Sequence, residues 1–359
     1  MADEQTQTKT QLTPSTLGVT SASFTALGPA LAADIAEVAQ QLRYESYWTA
    51  EANGTESFVL LTACGARAPQ LDLGTGIVPI QVRSPLLAAM SAATLQALHP
   101  KRRIFLGVGA STPTITERWH GVPYVIGSAS NATVGGSPKG ALAQMRSYLV
   151  LLRSLLAGET VTGDDGFWNL RGASLGVRLA EQRPQLVLAA LNPGMLRLAG
   201  ELADGVLLNY LPAAHVGASV AEVHAGEAAA GRPVGACAVY GYVHVGVADR
   251  EAARERGRRD VFGYAAAEGY GNMMARAGFG EEVSALRKAR AGGDRAGALA
   301  AVSDRMVDAI DLVGTEAEVR DFVASYVAEG ITHPIVMPLP WGPDRRATIE
   351  ATLAAVADR

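Results

Sequence analysis

Cysteine is nearly absent: two occur in 359 residues, Cys64 and Cys237, each inside an apolar stretch. That excludes a disulfide framework and any CxxC motif, and reads as two reduced core thiols. A basic surplus is missing as well. The 31 Lys and Arg are outnumbered by 35 Asp and Glu, for a formal charge of −4, so no positive field exists to hold nucleic acid or an anionic membrane. No apolar run approaches the roughly 18 residues of a membrane span, and the opening stretch MADEQTQTKTQLTPST is polar, with no signal core. The six histidines are dispersed, none at HxxxH or HExxH spacing, so no metal site is expected. These absences leave a cytoplasmic protein that acts on a small molecule, with residues 1–16 as a flexible tail.

What is present is apolar and regular. With 48% hydrophobic and 18% charged residues the chain can bury a large core. Short apolar runs alternate with helical periodicity. Strands are expected at Leu17–Thr20, Tyr44–Ala50, Leu71–Ile77, Arg103–Gly109, Leu186–Ala190, Val206–Asn209, Cys237–Val247 and His333–Pro338. Between them Leu31, Ile35, Val38 and Leu42 mark one helix, and Phe58–Ala66 and Pro85–Leu98 two more. Eight strands alternating with helices predict an α/β fold of the (β/α)8 TIM-barrel type, a single domain over residues 17–359.

Three stretches break the rhythm. Residues 111–139 are rich in Gly, Ser, Pro and Asn and too long for an ordinary connection, which suggests a lid or substrate loop carrying Trp119, Tyr124 and Lys139. Ser137-Pro138 reads as an N-cap followed by proline at the first helical position. Residues 158–184 are irregular, with Asp164-Asp165-Gly166 as a turn between two short strands. Residues 250–308 are helical in pattern and longer than one crossover needs, as an inserted helical hairpin would be. Val313-Gly314-Thr315, followed by Glu316 and Glu318, reads as the start of a late helix.

In such a barrel chemistry sits where strands end. Glu51 follows directly on the second strand, a candidate for proton transfer or for accepting a hydrogen bond from a bound ring; a solvated carboxylate or salt bridge is the plainer alternative. Leu73-Gly74-Thr75-Gly76-Ile77 and Leu106-Gly107-Val108-Gly109-Ala110-Ser111 put glycine where a flat ligand would need close backbone approach, or simply where barrel corners are tight. Neither opens a helix as GxGxxG requires, so a Rossmann reading fails. Leu191-Asn192-Pro193-Gly194-Met195 runs from strand into helix. Asn192 would cap that helix and its free N–H groups favour a phosphate. His120 stands in the long loop, in Trp119-His120-Gly121-Val122-Pro123-Tyr124.

Taken in order, Tyr47-Trp48-Thr49-Ala50-Glu51-Ala52, Leu73-Gly74-Thr75-Gly76-Ile77, Phe105-Leu106-Gly107-Val108-Gly109, Trp119-His120-Gly121-Val122-Pro123-Tyr124 and Leu198-Ala199-Gly200-Glu201-Leu202-Ala203-Asp204-Gly205-Val206 resemble the luciferase-like monooxygenase superfamily, in its branch of coenzyme F420-dependent oxidoreductases. The resemblance covers nearly the whole chain. It implies a deazaflavin at the strand C-termini, with a non-prolyl cis peptide at Gly76-Ile77 against the ring and ribityl and phosphate groups near Gly109, Ala110, Ser111, Leu191 and Asn192. Thr20 and Met195 belong to the same implied cofactor set, Glu51 and His120 to the catalytic one, and a homodimer is implied because members commonly pair.

Departures narrow the expectation. Some members have an acid followed by histidine at the second strand end, where this chain has Glu51 followed by Ala52, and Thr112 lies near the place where others supply a carboxylic acid. A sugar-phosphate dehydrogenase is therefore disfavoured. The segment Val125 to Ser137, and Leu191-Asn192 in place of two glycines, point to a specialised pocket. The expected activity is hydride transfer between reduced F420 and a small organic substrate, such as a C=C or C=N biosynthetic intermediate. Two rivals are an FMN-dependent monooxygenase using O2 and a barrel that binds flavin or deazaflavin without catalysis.

Overall fold

The computed structural model describes residues 17–125 and 138–357. The expected tail, the middle of the long loop and Ser137, the expected N-cap, lie outside the described residues. The eight expected strands are all present, with ends shifted by at most two residues: β1 (Gly18–Thr20), β2 (Ser46–Thr49), β3 (Asp72–Thr75), β4 (Ile104–Gly109), β5 (Gln185–Ala189), β6 (Gly205–Leu208), β7 (Ala238–Val247) and β8 (His333–Pro338). All neighbours are parallel, and the sheet closes where Gly18 of β1 pairs with Ile335 of β8. A parallel strand buried on both faces shows a continuous apolar run, which is why these segments could be read directly.

The barrel interior is packed rather than hollow. Trp48, Phe105, Val187, Leu207, Tyr240, Tyr242, Ile335 and Met337 form one inward-facing cluster. Trp48 and Phe105 stack at 5.0 Å, and Tyr240 tilts against both at 5.3 and 5.4 Å. This aromatic plug accounts for Gly74, and the close approach of the neighbouring strand for Gly107. A Cβ on Gly74 would lie 2.5 Å from Trp48 Cε3, and one on Gly107 would lie 1.8 Å from the Thr75 carbonyl oxygen. At those two positions the absent side chain makes room for the protein itself, so the ligand-approach reading of Gly74 and Gly107 is corrected to a packing one.

Of the three insertions, 158–184 folds as expected. Val161–Asp164 and Asn169–Ala173 pair antiparallel, and Asp165 Oδ1 accepts the N–H groups of Phe167 and Trp168 at 3.0 and 2.9 Å to form the turn. The 250–308 segment is not one hairpin. It is a chain of helices at Arg250–Ala265, Glu268–Met274, Gly280–Ala291, Arg295–Ala300 and Asp304–Asp308, with a π-turn at Ala275–Phe279. Its glycines and the Asp294 and Ser303 caps cut the pattern into short pieces.

The Asp311–Gly314 stretch is a further strand beside the C-terminal half of β7, His244 pairing with Asp311, whereas Val313 and Gly314 were read as part of a helix start. That helix begins one step later, at Glu316–Ala328, behind a capping box of Thr315 and Glu318. In the long loop, Thr114–Trp119 forms a π-turn. Lys139 belongs to the helix Pro138–Leu156 rather than to the loop, and its side chain is outside the described part. No described helix is long and apolar enough to cross a membrane.

Candidate active site at the strand C-termini

The ends of β1 to β5 form a continuous arc. At its centre the Gly76–Ile77 peptide is cis, as the resemblance implied. Tyr242, reaching across from β7, donates to the Gly76 carbonyl at 2.9 Å and is met by Thr20 Oγ1 at 3.4 Å. A Cβ on Gly76 would fall 1.9 Å from the Tyr242 hydroxyl. Glycine is required there by a named neighbour. The Ile77 carbonyl accepts the Glu51 N–H at 3.0 Å, and the Ile77 side chain lies 3.0 Å from where a Cβ of Gly109 would be. Ala189 of β5 closes the arc on the other side of Gly109. Thr20, Glu51, Gly76, Ile77 and Gly109 are thus brought together.

Ser111 follows with φ of 54°, a left-handed conformation in which non-glycine residues are uncommon. The preceding Ala110 carbonyl accepts from Gln81 Nε2 at 3.0 Å, and the same nitrogen donates to the Tyr124 carbonyl at 2.9 Å. Gln81 therefore ties the end of β4 to the long loop. Burial raises the Tyr124 phenol above its ordinary range, with the Glu268 carboxylate adding to the effect, so the loop approaches the inserted helices over the rim.

Glu51 is not a free carboxylate. Its Oε2 accepts from Arg83 Nε at 3.0 Å, its Oε1 from Arg83 Nη2 at 2.5 Å and from the Ser57 N–H at 3.2 Å. Arg83 also engages Glu56 and lies over the Phe58 ring at 5.0 Å. The salt-bridge alternative weighed from the sequence is therefore present. His120 is placed across from it, Nε2 sitting 2.8 Å from the Ala52 carbonyl. That bond joins the π-turn to the loop after β2, while the imidazole and the neighbouring Trp119 remain exposed.

Leu191, Asn192 and Met195 lie after β5, half-buried. Asn192 occupies the N-cap of Pro193–Leu202 without a side-chain cap bond, which corrects the simple capping expectation. Its amide turns outward, Nδ2 donating to the Gly269 carbonyl at 3.2 Å and Oδ1 accepting from Arg276 Nη2 at 2.6 Å. The helix start thus carries free N–H groups and a guanidinium beside them. Arg276 comes from the inserted segment and has no signature in strand-end patterning, nor have Tyr242, Gln81 or Arg83.

The sequence showed no metal-like spacing, yet folding brings His244, Asp260 and Asp311 together at the β6–β7 end of the rim. One donor atom of each lies within 4.8 Å of the others. His244 Nδ1 is 2.9 Å from Asp311 Oδ1, and its Nε2 is 2.8 Å from Asn209 Oδ1. Burial depresses the imidazole to about 4, Asp260 being the lesser, opposing influence. Tyr210, with φ of 52°, donates to Asp260 at 2.7 Å and packs edge-on against His244 at 4.1 Å.

Residues 11–333 match the luciferase-like monooxygenase family. A 5,10-methylenetetrahydromethanopterin reductase of Archaeoglobus fulgidus is 27% identical over 88% of this chain and 91% of its own length. An F420-dependent glucose-6-phosphate dehydrogenase of Mycolicibacterium fortuitum is 30% identical over 42% of each chain. Among solved structures, the coenzyme F420-dependent tetrahydromethanopterin reductase of Methanopyrus kandleri superposes with a TM-score of 0.75 at 22% identity, over 94% of this chain and 97% of that one. Closed parallel barrel, cis peptide at the end of β3 and full-length match agree, and the chain is a member of the luciferase-like monooxygenase family.

Proposed function

We propose that this protein is a coenzyme F420-dependent oxidoreductase that transfers a hydride between the deazaflavin and a small organic substrate with a C=C or C=N bond. The observation that carries this reading is the arc itself. Gly76 and Gly109 let Tyr242 and Ile77 pack tightly beneath the strand ends and so form a floor for a flat ring, and the start of Pro193–Leu202 with Arg276 supplies N–H groups and a guanidinium suited to a phosphate. Relatives aligned over most of the chain are named methylenetetrahydromethanopterin reductases, which supports a reductase of a C–N substrate.

Bound deazaflavin would supply the hydride. This chain's residues would orient and shield it. Thr20, Tyr242, Gly76 and Ile77 form the platform for the ring; Ala110, Ser111, Leu191, Asn192 and Met195 line the path toward the phosphate; Trp119 and Tyr124 close over the substrate and exclude water. Glu51, its oxygens committed to Arg83 and Ser57, suits a fixed acceptor better than a proton relay, and exposed His120 is the freer proton-transfer candidate. The buried free thiols Cys64 and Cys237 suit a cytoplasmic enzyme.

The homodimer expected from the resemblance is supported by one helix. Pro85–Leu98 has no charged residue, and its Leu87, Met90 and Leu98 are exposed beside Val59 and Val150 of neighbouring helices. A face of that kind calls for a partner, and a second copy supplies the same apolar surface.

Fluorescence-quenching titrations with oxidised and reduced F420 and with FMN test the cofactor. Preference for the deazaflavin is expected. Preference for FMN would replace the proposal with the monooxygenase reading, and tight binding without turnover of any acceptor would favour a non-catalytic barrel.

A further inference from the structure

Asn209 is the residue after β6, two beyond Leu207, and His244 lies on β7 two beyond Tyr242. Side chains two apart share a face of a strand. Leu207 and Tyr242 are the two side chains that crowd Gly76, Leu207 Cδ2 at 3.1 Å from the position of its missing Cβ. Asn209 and His244 therefore occupy the next layer up, above the platform assigned to the ring.

Behind Asn209 runs a buried chain. His244 links it to Asp311, and a carboxylate oxygen of Asp260, which accepts from the Tyr210 hydroxyl, lies within 4.8 Å of one of Asp311. Asp311 Oδ2 is buried and finds no N–H or O–H donor among the described residues. Two ionised carboxylates are disfavoured here, since Asp311 is buried away from water and the half-buried Asp260 faces it. A proton on Asp260 satisfies Oδ2, Asp311 Oδ1 accepts the Nδ1–H of the neutral imidazole, and the Asn209 amide, turned so that its nitrogen takes the place of Oδ1, donates to Nε2.

Every element packed here agrees. Half-buried Tyr264 and Tyr270 from the inserted helices, and buried Tyr326 from Glu316–Ala328 and Tyr210 after β6, are phenols that desolvation raises above their ordinary range. The guanidiniums of Arg250 and Arg254, which line a cleft with Asp311, are committed to Glu318 and Asp308. Burial, with no compensating cation, pushes the Asp311 carboxyl up to about 8 and the Asp260 carboxyl to about 7, the latter helped by Asp311.

We propose that Asp260 and Asp311 share one proton and, through His244, fix the amide of Asn209 as a ligand-positioning group of the rim site. Asn209 is the half-buried end of the chain. His244 uses part of its four-bond capacity, leaving the rest for a polar edge of the bound ligand. The positioning role rests on the rim being the deazaflavin site; the shared proton does not.

Two readouts separate these claims. Infrared spectroscopy of the free protein should show a protonated-carboxyl band at pH 7 that disappears above pH 8 and is absent in Asp311→Asn. If wild type and Asp311→Asn show the same spectrum, the shared proton is refuted. Deazaflavin affinity, followed by fluorescence quenching, should fall about tenfold in Asn209→Ala at pH 7. Wild-type affinity should fall as the pH rises from 7 to 9, relative to a flatter profile in Asn209→Ala. Unaltered affinity in Asn209→Ala, or the same pH profile in both, overturns the positioning role. Failure of the wild type to bind F420 at all overturns the proposed function and the positioning role with it, while the infrared band still decides the proton.

Discussion

Gly76 is the most constrained single position of the site, because its missing Cβ is where the Tyr242 hydroxyl lies. Gly76→Ala should cost about 1–3 kcal/mol in urea unfolding, the usual range for overpacking a filled interior. Adding Tyr242→Phe, which removes the clashing oxygen, should recover part of that loss; a double variant no better than the single would place the strain elsewhere. Glu51→Gln tests a different kind of contact. It leaves Arg83, largely buried, with Glu56 as its one remaining carboxylate, and should destabilise by roughly 1–2 kcal/mol. Unaltered stability and unaltered affinity for the deazaflavin in Glu51→Gln would leave Glu51 with neither a structural nor a cofactor-binding role. At this scale the sequence was partly legible. Gly76, Ile77 and Gly109 stood out because they punctuate apolar strands, but Tyr242 was hidden inside a strand and became visible only as the atom that fills the space Gly76 leaves.

Elements were legible in proportion to their regularity. The barrel strands show as uninterrupted apolar runs because helices and interior side chains cover both faces. Pro85–Leu98 was readable from its helical periodicity, and the structure adds the Ser84 hydroxyl that accepts the Leu87 N–H at 3.2 Å at its start. Residues 250–308 were not. Their Ala, Arg and Glu pattern carries helix propensity without the periodic apolar stripe that sets boundaries, so five short helices read as two long ones. The strand Asp311–Gly314 was missed for a related reason: four residues flanked by a capping box look like the box's lead-in. The charge-free face of Pro85–Leu98 carries the element-scale prediction. Met90→Lys, combined with Leu87→Lys, should convert a dimer to a monomer in light scattering with little loss of fold, since both side chains are exposed. A wild-type monomer would remove the dimer from the account.

Over the whole molecule, the two halves of the rim have different characters. From β1 to β5 the strand ends present glycines, a cis peptide and a helix start, elements assembled by chain segments near in sequence to the strands they end. From β6 to β7 the rim is walled by the inserted helices and held by a buried polar chain whose members, Asn209, His244, Asp260 and Asp311, are far apart in sequence. No spacing rule could have joined them; only the parallel pairing of His244 with Asp311 and the crossing of Arg250–Ala265 did. The central claim is that the β1–β5 arc binds the deazaflavin. Hydrogen–deuterium exchange with and without oxidised F420 tests it most directly. Protection is predicted in peptides covering residues 76–77, 109–111 and 191–195. Protection confined to other strand ends, such as residues 247–250 and 314–318, would contradict it.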